Sequence, residues 1–205
     1  MYDFIAFYYP NLQNYFCSEF KEGNNIEYNY MMEGEIQSQI TIITLGESTV
    51  GKSAYIDKYV YGTFRHKLPT IGFNTNSKNL SLPNGEKMKI IFEDTSGQER
   101  FLSLSLNFIR KADGVALMYD ITKKSTFDTV SKWCNDIWDF QKKDFPVILL
   151  GNKCDLEDER QVQREEGEHI ANKLGIKFLE TSNKNGINVD ESVKELVGMI
   201  LKNRN

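Results

Sequence analysis

"GESTVGKS", Gly46 to Ser53, follows the apolar run "QITIITL", Gln39 to Leu45. Two glycines bracket four other residues, and a lysine and a hydroxyl come straight after. A strand that breaks at glycine and resumes as a helix turns successive backbone N–H groups inward, where the helix amino end adds partial positive charge. The spacing GxxxxGKS therefore reads as a phosphate cradle. Lys52 can reach the β- and γ-phosphates of a nucleotide, and the Ser53 hydroxyl can ligate Mg²⁺. The plain alternative is a glycine turn with a surface lysine; the strand before and the helix after argue against it.

Outward from this stretch the chain alternates. Apolar runs at Ile40–Leu45, Met88–Phe92, Val115–Tyr119, Val147–Leu150 and Lys177–Leu179 predict strands. Thr75–Leu82, leading into the turn signal "PNGE", predicts a hairpin with the run at Met88. Helices are expected over Lys52–Tyr61, Phe101–Lys111, Thr126–Gln141, Gln163–Leu174 and Val189–Lys202. Strands alternating with helices give an α/β fold. Here it is a six-stranded, mostly parallel sheet with one antiparallel edge strand and helices on both faces. Ligands of such sheets bind beyond the carboxyl ends of the strands, so polar motifs that follow strands carry the function.

Three more motifs do follow strands. "IIFEDTSGQER" (Ile90–Arg100) offers Asp94 to hold a metal through a water, and Gly97, whose missing Cβ lets its N–H approach a terminal phosphate oxygen. Gln98 in the same run has both a donor and an acceptor, which suits orienting an attacking water. "FPVILLGNKCD" (Phe145–Asp155) brings Asn152, Lys153 and Asp155 to a strand end. A carboxylate accepts the side-by-side N1–H and N2–H₂ of guanine and finds no such pair on adenine. "FLETSNKNG" (Phe178–Gly186) adds Ser182, Asn183 and Lys184, whose backbone N–H groups can meet the guanine O6.

The bulk numbers set bounds. With 205 residues, 40% of them hydrophobic and 26% charged, the chain has room for one α/β domain and a little more. Its net charge of −4 is uneven: residues 1–37 carry −5, and the remainder sits near +1. Neither part shows a basic stripe, which argues against nucleic acid as a partner. Cys17, Cys134 and Cys154 are odd in number and far apart, as suits a reducing compartment rather than a disulfide scaffold or zinc site. No apolar run approaches the roughly 18 residues of a membrane span. Residues 1–37, rich in Tyr, Phe and Asn, hold no sustained period. They read as a disordered extension ahead of a domain over residues 38–205, or as sequence upstream of a true start at Met31 or Met32; an aromatic docking segment is the sharper alternative.

Together "GESTVGKS", "PTIGF", "DTSGQERF", "LMYDIT", "GNKCDL" and "ETSNK" resemble the Ras superfamily of small GTPases, and within it the Rab branch, in order and spacing across residues 38–202. The resemblance implies a P-loop G-domain that binds GTP and GDP with Mg²⁺, hydrolyses GTP slowly and acts as a switch in vesicle traffic. It implies that Glu47, Ser48, Thr49, Val50, Gly51, Lys52, Ser53 and Ala54 line the phosphates, and that Ser53, Thr70 and Asp94 serve the metal. Lys52, Thr70 and Gln98 would serve catalysis, and Phe64 would lie over the purine. The loops about 65–73 and 96–107 would be the switches, ordered by γ-phosphate contacts that hydrolysis removes. A monomeric cytoplasmic protein is implied, with an exchange factor, a GTPase-activating protein and an effector as partners.

Departures from the family pattern bear on that picture. Where Rab-type domains carry an aromatic triad, this chain has Thr75, Glu93 and Phe108, with Ile109 beside the last. Ser48 and Thr49 stand where Ras proper has glycines, and Phe64 is one residue nearer Thr70 than is usual. No cysteine follows Cys154, so the chain as read offers neither a CaaX box nor a paired-cysteine signal; the expectation is a soluble protein, recruitment to membranes by a partner, or a tail lying beyond this sequence. These features motivate a second reading, a nucleotide-locked scaffold whose switches no longer cycle. A P-loop kinase is a weaker third, since it should lack the NKxD signature. His66 and His169 read as surface residues, Trp133 and Trp138 as core, Cys154 as a small filler, and Glu157–Arg160 as a solvated charged loop.

Overall fold

The computed structural model describes residues 38–64, 73–81, 87–95 and 108–204. The elements are β1 (Ser38–Leu45), α1 (Lys52–Tyr61), β2 (Phe73–Ser81), β3 (Lys87–Thr95), β4 (Gly114–Asp120), α2 (Lys124–Asp128), α3 (Val130–Trp138), β5 (Val147–Asn152), α4 (Arg164–Leu174), β6 (Lys177–Thr181) and α5 (Val189–Arg204). The chain divides into two units. The larger, residues 40–78 and 90–205, carries the motifs; the described residues of the smaller are 38–39, 79–81 and 87–89, the start of β1, the end of β2 and the start of β3.

Six strands form one sheet in the order β2-β3-β1-β4-β5-β6, mostly parallel with one antiparallel pair. Pairing is in parallel register from Leu45 opposite Leu117 through Asp120 opposite Asn152 to Asn152 opposite Thr181. All seven residues of β4 and all six of β5 are buried, as central parallel strands covered on both faces must be. Alternate residues of β1 and β4 serve opposite faces. Ile43, Leu45, Val115, Leu117 and Tyr119 pack with Val130, Trp133 and Ile137 of α3 and Ala171 of α4. At Gly114, on the other face, a Cβ would meet Ile200 and Leu196 of α5.

The helix expected over Thr126–Gln141 is in fact two. Thr129, at φ −87° and ψ −8°, separates α2 from α3. The reason is side-chain competition for the backbone. Thr126 Oγ1 donates to Lys123 O at 2.8 Å, Thr129 Oγ1 donates to Thr126 O at 3.0 Å, and Asp120 N donates to Thr126 Oγ1 at 3.0 Å. Such short polar side chains offer the chain a turn in place of the helical ladder. The expected strands all form, longer at most ends by one to three residues. Of the helix expected over Phe101–Lys111, residues 101–107 lie outside the described residues, as does the "PNGE" turn.

Tyr119 sets the spacing between sheet and α4. Its ring lies edge-on to Phe127 and stacks with Phe178, and burial pushes its phenol well above the ordinary range. Among the described residues its hydroxyl finds no hydrogen-bond partner. Gly151 and Gly167 make the room: a Cβ on Gly151 would come within 2.7 Å of that hydroxyl, and one on Gly167 within 2.6 Å. Gly151→Ala should therefore cost about 1–3 kcal/mol by overpacking. Tyr119→Phe, which removes a buried orphan hydroxyl, should be neutral or stabilising by up to about 1 kcal/mol and should soften the Gly151→Ala loss. Urea unfolding of the two single variants and the double variant measures all three.

Candidate functional site

The loop from β1 to α1 is shaped by its backbone. Gly46, Thr49 and Gly51 have φ of 129°, 66° and 106°, the left-handed region. Glycine is required at the first and last: a Cβ on Gly46 would stand 2.1 Å from Met118 O, and one on Gly51 would stand 2.4 Å from Asn152 Nδ2. Gly51 caps α1 without a side-chain hydrogen bond, so the helix amino end opens onto the loop.

Lys52, the first residue of α1, folds back under the loop. Its ammonium donates to Gly46 O and to Glu47 O, each at 2.8 Å, and the residue is only 5% exposed. Burial lowers its pKa to about 8, although the charges of Asp94 and Glu47 pull the other way. Asp94, itself buried at the end of β3, is thus close enough to Lys52 for its charge to be felt. Ser53 and Ala54 follow, half-buried.

The strand ends β5 and β6 close on the same loop. Asn152 Nδ2 donates to Val50 O at 2.7 Å, while its Oδ1 accepts from Thr181 Oγ1 at 3.2 Å. Asn183 Nδ2 donates to Gly51 O at 2.9 Å, and Cys154 N donates to Thr181 O at 3.0 Å. Asp155 Oδ1 accepts from Ser182 Oγ at 2.6 Å, and the same hydroxyl oxygen accepts from Asn185 N at 3.1 Å. Lys153, at φ 70°, pairs with the buried Asp120 at the end of β4, whose Oδ1 also accepts from Thr122 N at 2.9 Å. Lys184 is exposed.

So Lys52, Asn152, Asn183, Val50 and Gly51 come together in one hydrogen-bonded cluster, with Asp155 and Ser182 joined beside it. Glu47, Ser48 and Thr49 form the loop's outer run; Phe64 is half-buried, and Thr70, Gly97 and Gln98 lie outside the described residues, as does His66. Several contacts were not foreseen from sequence, the Asn152 bond to Val50 O among them. Asn183, expected to serve through its backbone N–H alone, also sends its side chain to the loop after β1. Trp133, expected only as core, donates from Nε1 to Glu47 Oε1 at 3.3 Å, and Lys123 Nζ reaches Thr49 Oγ1 at 3.4 Å. The run Glu157–Arg160 is a solvated loop only in part. Arg160 turns inward to grip Glu180 through two bonds, at 2.6 and 3.0 Å, and holds Glu157 from its other edge. His169 is on the surface, Cys134 is buried with its thiol pushed up to about 12, and Cys154 is partly buried with its thiol raised by burial first. Thr75 Oγ1 donates to Glu93 Oε2 at 2.9 Å, while Phe108 packs partly buried on the core.

Comparison with known proteins adds three relatives and a family. A model of the Ras family matches residues 41–202. The GTP-binding protein ypt2 of Schizosaccharomyces pombe is 38% identical over 166 residues, 80% of this chain and 82% of the relative. The Ras-related protein Rab-3C of Bos taurus is 34% identical over 181 residues, 88% of this chain and 76% of the relative. The Ras-related protein Rab-8B of Homo sapiens is 38% identical over 165 residues, 80% and 79% respectively.

The Arg160–Glu180 pair ties the segment after Asp155 to the strand that leads to Ser182. Each side chain is less than a tenth exposed. Removing one partner strands a buried charge, so Arg160→Leu should lower the unfolding free energy by about 3 kcal/mol. Arg160→Leu with Glu180→Leu, which removes both charges, should recover much of that loss; urea titrations with matched slopes make the comparison.

Proposed function

The chain belongs to the Ras family of small GTPases and is Rab-like within it, and from that premise we propose that its loop cluster is a single guanine-nucleotide pocket that binds GTP and GDP with Mg²⁺. The observation that carries this reading is the pair of asparagine bonds, Asn152 to Val50 O and Asn183 to Gly51 O. Loops with the chemistry to read a base are fastened to the two residues just before the phosphate-contacting Lys52. Base and phosphates are then read at fixed separation.

In this reading Lys52 and the N–H groups of Glu47 to Ala54 hold the phosphates. Asp155 accepts the N1–H and N2–H₂ of guanine, oriented by the Ser182 hydroxyl, and Ser182 to Lys184 offer backbone donors to O6. Lys153 flanks the base from its pairing with Asp120, and Phe64 covers it. The donor set for the metal fits: the Ser53 hydroxyl and the buried Asp94 carboxylate are hard oxygens, and Mg²⁺ is commonly held by one or two carboxylates completed by phosphates. Thr70 would join them in the GTP state. The chemistry the ion supplies when bound is neutralisation of charge on the β- and γ-phosphates. Gly97 would offer its N–H to the γ-phosphate, and Gln98 would orient the attacking water. Hydrolysis by the chain alone is slow, because a partner's arginine commonly adds on the order of 10⁵ to such a rate; an activating protein supplies it.

Residues 38–205 form the switch module and residues 1–37 precede it. Membrane traffic is its field, as for Rab-type relatives generally. An effector that docks over β2 and β3 meets a hydrogen-bonded polar pair, Thr75 with Glu93, where an aromatic surface is usual.

Two experiments test the pocket. Asp155→Asn exchanges a double acceptor for an amide, so GDP affinity should fall by at least about a hundredfold while xanthosine diphosphate gains. Unchanged GDP affinity in that variant refutes the base assignment; equilibrium titration with fluorescent nucleotides reads both. Lys52 supplies the second. Its pKa of about 8 in the unliganded pocket lies below the ordinary 10.5, and a phosphate beside it favours the charged form and raises the pKa. Between those values binding takes up a proton, so affinity should fall as pH rises through about 8. At pH 8 roughly half a proton should be absorbed per GDP, seen as calorimetric heats that vary with the ionisation enthalpy of the buffer, and the effect should vanish near pH 6.5.

A further inference from the structure

Glu47 sets a carboxylate in a loop whose backbone is arranged for an anion. Its main-chain oxygen accepts the Lys52 ammonium, and its side-chain charge also reaches that ammonium. Lys52 thus has three anions to answer, a bound phosphate, Asp94 and Glu47, of which Glu47 is the one anchored in the loop itself. One oxygen of the Glu47 side chain is met by an indole: Trp133 Nε1 donates to Glu47 Oε1 at 3.3 Å, across 86 residues of sequence. Trp133 belongs to no nucleotide motif. It sits on α3 only 7% exposed, within a cluster that includes Val130, Cys134 and Ile137, so the ring has no room to swing.

We propose that Trp133 is a positioning residue for the phosphate loop, holding the Glu47 carboxylate toward α3 and off Lys52, so that the ammonium is left for phosphate. This rests on the reading of the loop as a nucleotide site. The physics is a competition for one cation. An opposite charge within a few ångströms stabilises the ammonium, and a carboxylate released from its indole donor is covalently tethered beside Lys52. At 3.3 Å the bond is a long one, and what favours it is that a donor fixed in a packed core pays little ordering entropy to keep it. α3 thereby acts on the strength of nucleotide binding through one side-chain contact, without touching the ligand.

The test turns on suppression. Trp133→Phe keeps a ring and loses the N–H. GDP should then bind about tenfold more weakly, a coupling within the range measured for contacting residues. Adding Glu47→Ala to Trp133→Phe should bring the affinity back to within roughly twofold of Glu47→Ala alone, because the competing carboxylate is gone. If Trp133 acts only through packing, its substitution weakens GDP equally with and without Glu47, and the inference is overturned. A second readout leaves the core intact and uses no ligand. In the chain with both tryptophans, the indole N–H resonance that Trp133→Phe deletes should shift when Glu47 becomes Ala; a resonance indifferent to Glu47 also overturns the inference. Failure of the unmodified chain to bind GDP while the indole resonance responds to Glu47 removes the nucleotide reading and the positioning role with it, and leaves the contact itself standing.

Discussion

Everything in the site depends on which way a few peptide planes face. In a trans peptide the N–H points opposite to the C=O, so fixing a carbonyl fixes the next residue's donor. The carbonyls of Gly46 and Glu47 are held by the Lys52 ammonium, that of Val50 by Asn152, and that of Gly51 by Asn183 together with Tyr55 N. Four of the loop's carbonyls are thus drawn into the protein by its own groups. The N–H groups of residues 47, 48, 51 and 52 are turned the other way as a consequence. An anion cradle is built by occupying acceptors so that the donors of the same peptide planes face the other way.

That arrangement is costly locally and is sustained by its surroundings. Thr49 is β-branched and sits at φ 66°, a conformation that costs such residues on the order of 1–3 kcal/mol. Gly46 and Gly51 relieve the strain at the loop's two ends, and close backbone and amide neighbours leave no space for any other residue there. The pins come from far away in sequence: Asn152 acts across 102 residues and Asn183 across 132. Loop geometry and sheet order are therefore one constraint. Only with β4 between β1 and β5, and β6 beyond them, do the ends of β5 and β6 reach the loop after β1.

This explains which features were legible in the sequence. The strands and most helices follow from apolar runs and glycine turns, which are local, and the loop "GESTVGKS" follows from spacing alone. Asp155 and Asn152 were legible as chemistry but not as architecture. Nothing in "GNKCDL" says that the asparagine amide binds the loop a hundred residues earlier. The break at Thr129 was hidden because helix periodicity continues through it; only the threonine hydroxyls, bonding backward, reveal the stop. Arg160 looked solvated because its neighbours Glu157, Asp158 and Glu159 are, whereas its partner Glu180 is twenty residues on. Trp133 was read as core, and it is, but a single N–H at its rim reaches Glu47 of the loop.

The charges around the base end show a further order. Among the described residues three carboxylates gather near the ends of β4, β5 and β6. Asp120 is matched to the Lys153 ammonium and Glu180 to the Arg160 guanidinium, whereas the Asp155 oxygen receives a neutral hydroxyl from Ser182. A hydroxyl orients a carboxylate without cancelling its charge, and a carboxylate has about four lone-pair positions of which this bond uses one. The two neighbouring acids are each paired with a cation of the chain, so they do not compete with Asp155 for its ligand. On the proposed reading, this is how discrimination for guanine is made. The acid that is to meet two N–H donors of the base is aimed by a hydroxyl, and among the described residues no cation is paired with it, while the acids that hold the frame together are paired. Selectivity is then a property of how charge is distributed among three carboxylates, of which the sequence motif names one.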